Sequence, residues 1–182
     1  NKLKIAVVGA GASGMVAALT AAGYGAEVTL FEKKDRVGKK ILSTGNGKCN
    51  LGNLNFSTEQ YYCRDKKKLH KMFCLFSVWD SLSFFESIGL MVKNKNDYLY
   101  PRSEQASAVL DVLRMELIRR KVHIATETEI TKAVYCKDGK CFRLTDFMGK
   151  TCSFQKVIIA CGSPASLKQG DGLGGYKLAK EL

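Results

Sequence analysis

The chain has 182 residues, 46% hydrophobic and 25% charged, the proportions of a globular protein able to bury a substantial core. No stretch approaches the roughly twenty apolar residues of a membrane-spanning helix, and no signal peptide is visible, so a cytoplasmic protein without a membrane partner is expected. The formal net charge of +12 sits in scattered clusters (Lys33 to Arg36, Lys39-Lys40, Arg64 to Lys68, Arg119 to Lys121) that match no nucleic-acid-binding motif, so solvated faces and attraction for anionic ligands are expected rather than a specific nucleic acid.

Lys4–Val8 reads as a buried strand. It breaks into Gly9-Ala10-Gly11-Ala12-Ser13-Gly14 and resumes as an alanine-rich helix, and a second apolar run, Glu27–Phe31, ends at Glu32. Gly9 allows a tight turn, Gly11 lets the backbone approach a pyrophosphate, and Gly14 lets the helix pack closely on the sheet. The helix N-terminus offers N–H groups and a positive dipole end to phosphates. Glu32 is placed to accept hydrogen bonds from ribose hydroxyls. Strand, glycine turn, helix, strand and acid in this order point to a bound adenine dinucleotide.

Val37 to Asn53 is too rich in Gly, Asn and Lys for more than a short helix. From Lys66 to Ile88 apolar residues recur at helical spacing (Leu69, Met72, Phe73, Phe76, Trp79, Leu82, Phe85), and Gly89 is a natural stop. Two short strands follow, near Met91–Lys93 and Tyr98–Tyr100, around a turn at Asn94–Asp97. Ser103 is expected to cap a helix running to about Arg120, with Ala106, Val109, Leu110, Leu113, Leu117 and Ile118 as its apolar stripe. Val122–Ala125 reads as a short buried strand of the parallel sheet. A three-stranded meander is expected next: Glu129–Cys136, Lys140–Thr145 and Thr151–Phe154, with turns at Asp138-Gly139 and Met148-Gly149. Val157–Ala160 is a fully apolar strand running into Cys161-Gly162. A glycine-rich loop from Gly170 to Gly175 leads to a last helix from Tyr176.

The aromatic cluster Phe73, Phe76, Trp79, Phe84 and Phe85 reads as core. His70 and His123 show no acidic or cysteine neighbour at ligand spacing. Seven cysteines without a CxxC pair read as reduced, mostly buried thiols, and no metal site is expected.

The first strand–helix–strand unit suits FAD and NAD equally, because both carry adenosine diphosphate. The meander that interrupts the sheet before Val157–Ala160 is the pattern of the glutathione-reductase-like FAD fold, whose closing turn usually reads Ala-Thr-Gly where this chain has Ala160-Cys161-Gly162. The fold class expected is therefore α/β: an FAD/NAD(P)-binding Rossmann-type parallel sheet with a β-meander crossover.

Four segments resemble the BaiN-like (YhiN-like, aminoacetone-oxidase-like) FAD-dependent oxidoreductases: Gly9–Gly14; Gly38 to Leu51, which fits G-[RK]-K-[IL]-L-x-[ST]-G-x-G-[RK]-C-N; Tyr100 to Ser103 with Ala106 to Leu110; and Gly170 to Leu178. The resemblance implies FAD contacts. Gly9, Gly11, Ala12, Ser13 and Gly14 would hold the pyrophosphate, Glu32 the ribose, and Lys33 would lie beside the adenine. Lys40, Ser43, Gly45, Gly47, Lys48, Cys49 and Asn50 would line the path from pyrophosphate to ring. Backbone near Ile130 would meet the adenine edge, and Ala160 and Gly162 would close over the adenosine half. Lysines offset diphosphate charge, and Asn and Ser supply directed hydrogen bonds. The loop Gly170-Asp171-Gly172 would approach the flavin ring. No side chain stands out as a general acid or base, so the catalytic residues are unassigned.

Members of this family are longer, adding a substrate domain and a closing FAD segment. Residues 1–182 are thus expected to be the N-terminal portion of an FAD-binding domain, incomplete at its C-terminus, with weakened FAD retention or self-association. The function implied is hydride transfer between flavin N5 and an unidentified small-molecule substrate, with NAD(P)H or oxygen as redox partner. The competing readings are an NAD(P)-binding dehydrogenase module and a basic RNA-associated binding protein.

Overall fold

The computed structural model describes residues 2–163 and 174–182. In chain order the elements are β1 (Lys4–Val8), α1 (Ala12–Gly23), β2 (Glu27–Phe31), a kinked 3-10 segment (Lys39–Gly47), β3 (Gly52–Asn53), a 3-10 turn (Thr58–Gln60), α2 (Lys66–Leu75), α3 (Val78–Ser87), β4 (Val92–Lys95), β5 (Tyr98–Pro101), α4 (Ala106–Arg119), β6 (His123–Ala125), β7 (Ile130–Cys136), β8 (Cys141–Asp146), β9 (Thr151–Phe154), β10 (Lys156–Ile159) and α5 (Gly174–Glu181). No helix among the described residues is long and apolar enough to cross a membrane. The chain divides into two compact units, Asn1–Lys40 with Leu113–Leu182, and Ile41–Val112.

The first unit carries the expected parallel sheet, in the order β10-β1-β2-β6. β1 is central, pairing in parallel with both β10 and β2. A central parallel strand covered on both faces reads as a near-continuous apolar run, and after the exposed Lys4 its residues are buried, Ala6 and Val7 fully. α1 lays Met15, Ala18 and Leu19 into the interior, a helical face at i, i+3, i+4. The meander β7-β8-β9 is antiparallel, as its turn residues predicted. Ala6, Val8 and Phe31 of the sheet, Ile130, Ala133, Leu144 and Phe154 of the meander, and Leu178 of α5 form one core cluster. Within it the Phe31 and Phe154 rings meet edge to face, 5.8 Å between centroids, a geometry favoured by the ring quadrupoles.

The outer strands depart from expectation. β6 is less buried than predicted, with His123 exposed, and β10 starts at the exposed Lys156 with Val157 to Ile159 half-buried. Each has a single strand neighbour among the described residues.

The second unit holds a small sheet, β3-β5-β4, and the helices α2 and α3. The single helix expected over Lys66 to Ile88 is broken at Phe76-Ser77. Ser77 N donates to Asp80 Oδ2 at 2.6 Å and Asp80 N donates to Ser77 Oγ at 3.3 Å, a capping box that starts a new helix inside an apolar period. The aromatic residues are not core: neither helix has a buried residue, and Phe76 and Trp79 are 55% and 64% exposed. Phe73 packs on Phe56 at 4.4 Å and Tyr61 at 5.3 Å.

α4 begins at Ala106, later than the Ser103 cap predicts, because Ser103 Oγ instead accepts from Gln105 N and Glu104 takes a left-handed φ of 53°. Ala106, Val109, Leu110, Leu113 and Leu117 are buried as expected, but Ile118 is exposed. The last helix starts at Gly174 rather than Tyr176. All seven cysteines are free thiols, yet Cys49 alone is buried, which corrects the expectation of mostly buried thiols. Cys74 Sγ lies 3.5 Å from His70 Nε2, one turn away on α2, so His70 does have a cysteine neighbour.

Candidate functional site

In the first unit the glycine turn is fixed by contacts that admit no side chain at two positions. Gly9 has φ of 101°, and a Cβ there would lie 2.6 Å from the Ala160 carbonyl oxygen and 2.9 Å from Cys161 Cα. Gly9 N donates to Phe31 O, and Ala160 N to Val8 O, both at 2.8 Å. A Cβ on Gly14 would sit 1.8 Å from the Gly9 oxygen, so the first turn of α1 rests directly on the glycine turn. Gly11 is the opposite case. It is the N-cap of α1 without any side-chain cap, and a Cβ there would meet nothing within 4 Å. The exposed Ala12 and Ser13 follow. This is an open backbone face at an uncapped helix N-terminus, the environment in which a diphosphate is held by N–H groups.

Glu32 borders that face. Its carboxylate accepts from Ala10 N and from Lys34 N, each at 2.9 Å, while its backbone pairs with Ala125 and Thr128. The carboxylate oxygens retain further lone pairs for ribose hydroxyls. Gly38 N donates to Ala10 O at 2.8 Å and Arg114 Nη2 donates to Val37 O at 3.1 Å, so the segment after β2 is tied to the same turn. Beyond Glu32, Lys33, Lys34, Asp35, Glu127, Glu129 and Phe147 line an open cavity of about 380 Å³. Ile130, buried, follows Glu129 at the start of β7, where the pairing with β8 shifts register. Gly162 has φ of 79°, and a Cβ there would meet nothing within 4 Å among the described residues.

Cys161 replaces the usual threonine of the closing turn. Its Sγ donates to Val8 O at 3.4 Å, and burial, with the Glu32 charge next, pushes the thiol up from its ordinary value. Both effects favour the thiol over the thiolate. Gly175, read from sequence as the end of the glycine-rich loop, lies in α5: a Cβ there would lie 2.7 Å from Cys161 Cβ, so α5 packs on the end of β10 through its own glycine. The Gly174-Gly175 pair was the available signal. Gly170, Asp171 and Gly172 lie outside the described residues.

In the second unit the lysine–glycine loop is a compact knot. Asn46 and Cys49, besides Gly45 and Gly47, have left-handed φ. Lys48 N donates to Gly45 O at 3.1 Å and Cys49 N to Thr44 O at 3.2 Å, Thr44 Oγ1 caps Ile41 O, and a Cβ on Gly45 would lie 2.9 Å from Asn50 N. Asn50 Oδ1 accepts from Gly52 N, and the Cys49 thiol is buried. Ser43 is exposed, and so is Lys40, the last residue of the first unit. Lys48 Nζ pairs with Glu104 Oε2 at 3.0 Å, and Lys93 pairs with the other Glu104 oxygen. Lys93 first, then Lys48, holds the Glu104 carboxyl down at about 2, and the same bond raises Lys48. Neither Glu104 nor Lys93 was singled out from sequence.

Residues 3–182 match the family described as HI0933-like protein Rossmann domain. The chain is 39% identical over 181 residues to a 3-dehydro-bile acid delta(4,6)-reductase of Clostridium scindens, covering 98% of this chain and 44% of that protein. It is 27% identical over 176 residues to a ribosomal RNA dihydrouridine synthase of Escherichia coli, covering 97% and 43%. The chain thus spans less than half the length of these relatives. Among solved structures, 3-ketosteroid-delta4-(5alpha)-dehydrogenase from Rhodococcus jostii matches with a TM-score of 0.64 at 16% identity, over 88% of this chain and 46% of that one, a likeness of fold.

Proposed function

Because the chain belongs to the HI0933-like Rossmann domain family, we propose that it is the FAD-binding part of a flavoprotein oxidoreductase. The observation that carries this reading is the pairing of two glycines that admit no Cβ, Gly9 and Gly14, with one, Gly11, whose face is open at the uncapped start of α1. Bound FAD supplies hydride transfer, and the chain supplies binding, orientation and electrostatics. The N–H groups of Ala12, Ser13 and Gly14 take the pyrophosphate. Glu32 accepts the ribose hydroxyls, Lys33 and the backbone of Ile130 lie at the adenine, and Ala160 and Gly162 close the adenosine end. The family motif supports Lys40, Ser43, Gly45, Gly47, Lys48, Cys49 and Asn50 as the partners of the rest of the cofactor.

The two relatives above are named as a 3-dehydro-bile acid delta(4,6)-reductase and a ribosomal RNA dihydrouridine synthase, and both names describe a reduced carbon–carbon double bond. That shared chemistry supports reduction of such a bond, and the bile acid of the first supports a small-molecule substrate, with NAD(P)H as donor in this reading. The dihydrouridine synthase and the formal charge of +12 favour RNA as the second reading, and salt-dependent retention of RNA by the chain would decide for it. An absorption spectrum of the purified chain with extraction of its cofactor tests the first proposal. Flavin bands and released FAD are expected, whereas NAD with no flavin would identify a dehydrogenase module.

A further inference from the structure

The β4–β5 hairpin collects more positive charge on one face than its loop position requires. Its strands are joined by Asn96-Asp97, with left-handed φ of 50° and 67°, the two-residue turn that matches strand twist. The register pairs Lys95 with Tyr98 and Lys93 with Tyr100. Directly opposed residues share a face, as do residues two apart, so Lys93, Lys95, Tyr98 and Tyr100 project together while Leu99 is buried on the other side. Lys48, Lys95, Asn96, Tyr98, Tyr100 and Glu104 line a cavity of about 170 Å³. Glu104 is held after β5 in a left-handed conformation by its N–H to Pro101 O, and one oxygen binds Lys93 while the other binds Lys48.

We infer that this pocket is a binding site for a planar oxyanion on a single ring, a phenolate or an enolate, and that Glu104 is the positioning residue for Lys48. Among the lining residues Glu104 is the one carboxylate beside the ammonium groups of Lys48 and Lys95, with Lys93 bound to its other oxygen, and its low proton affinity keeps it ionised throughout the neutral range. It fixes two lysines and neutralises one charge, leaving the cavity positive. The hydroxyls of Tyr98 and Tyr100 and the Asn96 amide add neutral donors. The volume is close to that of a cavity that holds benzene, about 150 Å³, so one ring fits with its oxygen on the ammonium groups. The inference rests on the proposed reduction in one respect alone: saturating a double bond beside a carbonyl passes through an enolate, and preorganised donors at that oxygen lower the barrier.

The test uses 4-nitrophenol and the full chain without flavin, so its failure is distinct from failure of the FAD reading. Titration at low ionic strength across the probe's own ionisation is followed by the visible band of the phenolate. The site predicts that the phenolate binds at least about tenfold more tightly than the neutral phenol, seen as a downward shift of one unit or so in the bound probe's pKa. Lys95→Met should weaken the phenolate roughly tenfold with an unchanged melting temperature. Glu104→Gln separates positioning from mere charge. Removing a negative charge alone would tighten anion binding, whereas loss of Lys48 positioning weakens it, and Glu104→Asp restores part of the loss. Equal binding of phenol and phenolate, no effect of Lys95→Met, or tighter binding in Glu104→Gln would overturn the assignment.

Discussion

In the first unit seven side chains of the strand–turn–helix–strand segment, from Ala6 to Leu30, are completely buried (Ala6, Val7, Ala10, Met15, Ala18, Leu19 and Leu30). In the second, α2 and α3 have no buried residue, and Leu75 and Trp79 are 76% and 64% exposed. The backbones differ too. At the first unit's glycine turn the left-handed positions are Gly9, Gly38 and Gly162, with Glu127 at the neighbouring cavity, whereas the second unit's loop and hairpin add Asn46, Cys49, Asn96, Asp97 and Glu104 to Gly45 and Gly47. Glycine adopts that region without steric cost, while an ordinary residue held there stores strain that surrounding contacts must offset. The first unit's turn is thus fixed by close packing, whereas the second unit, in which Leu90, Leu99, Val109 and Leu110 are buried, holds its loop and hairpin through hydrogen bonds and ion pairs.

Gly14→Ala places a methyl group 1.8 Å from the Gly9 oxygen, and should destabilise the chain by about 3 kcal/mol or more in urea unfolding. Gly9→Ala should approach it, since it adds an unfavourable φ to a 2.6 Å contact. A neutral Gly14→Ala would mean that the turn is not packed as described.

Next in size is the one buried charge among the described residues. Glu116, on α4, is 6% exposed and accepts from Arg119 Nε at 2.6 Å and Arg120 Nε at 2.5 Å. Glu116→Gln leaves the guanidinium groups without their counter-charge and should cost about 2–3 kcal/mol at neutral pH. The same pair gives a pH signature. Arg119 first, then Arg120, holds the Glu116 carboxyl at about 2 against the opposing effect of burial, below its ordinary 4.5. The folded value lies below the unfolded one, so the stabilisation is complete above about 4.5 and fades as pH falls toward 2. The gap between wild type and Glu116→Gln should narrow across that window. A gap that is constant with pH would assign the cost to packing instead.

The smallest effect sharpens the other side of the comparison. Trp79→Ser removes a large aromatic residue from an exposed helix face, and should change stability by less than about 0.5 kcal/mol. A large loss would show that Trp79 is covered in solution.

What the sequence revealed follows the same division. The first strand, turn, helix and second strand were legible because the spacing of Gly9 and Gly14 coincides with atomic contacts that only glycine permits, and the meander because Asp138-Gly139 and Met148-Gly149 mark its turns. The break at Ser77 was signalled by Ser77 and Asp80 but lies inside an unbroken apolar period. The exposure of Phe76 and Trp79 was not legible, since periodicity identifies a face and not what lies against it. Nor was the Glu32 carboxylate on Ala10 N, or the bridge of Lys48 and Lys93 through Glu104, because each joins residues brought together by chain reversal rather than by spacing.

An equilibrium titration of FAD into the chain and its Gly11→Ala variant asks whether the open face of Gly11 receives the FAD pyrophosphate. The prediction is saturable binding to the wild type, an unchanged unfolding midpoint in the variant because its new methyl group meets nothing within 4 Å, and FAD affinity lowered by roughly tenfold or more. Equal FAD affinity in the two folded proteins would contradict it.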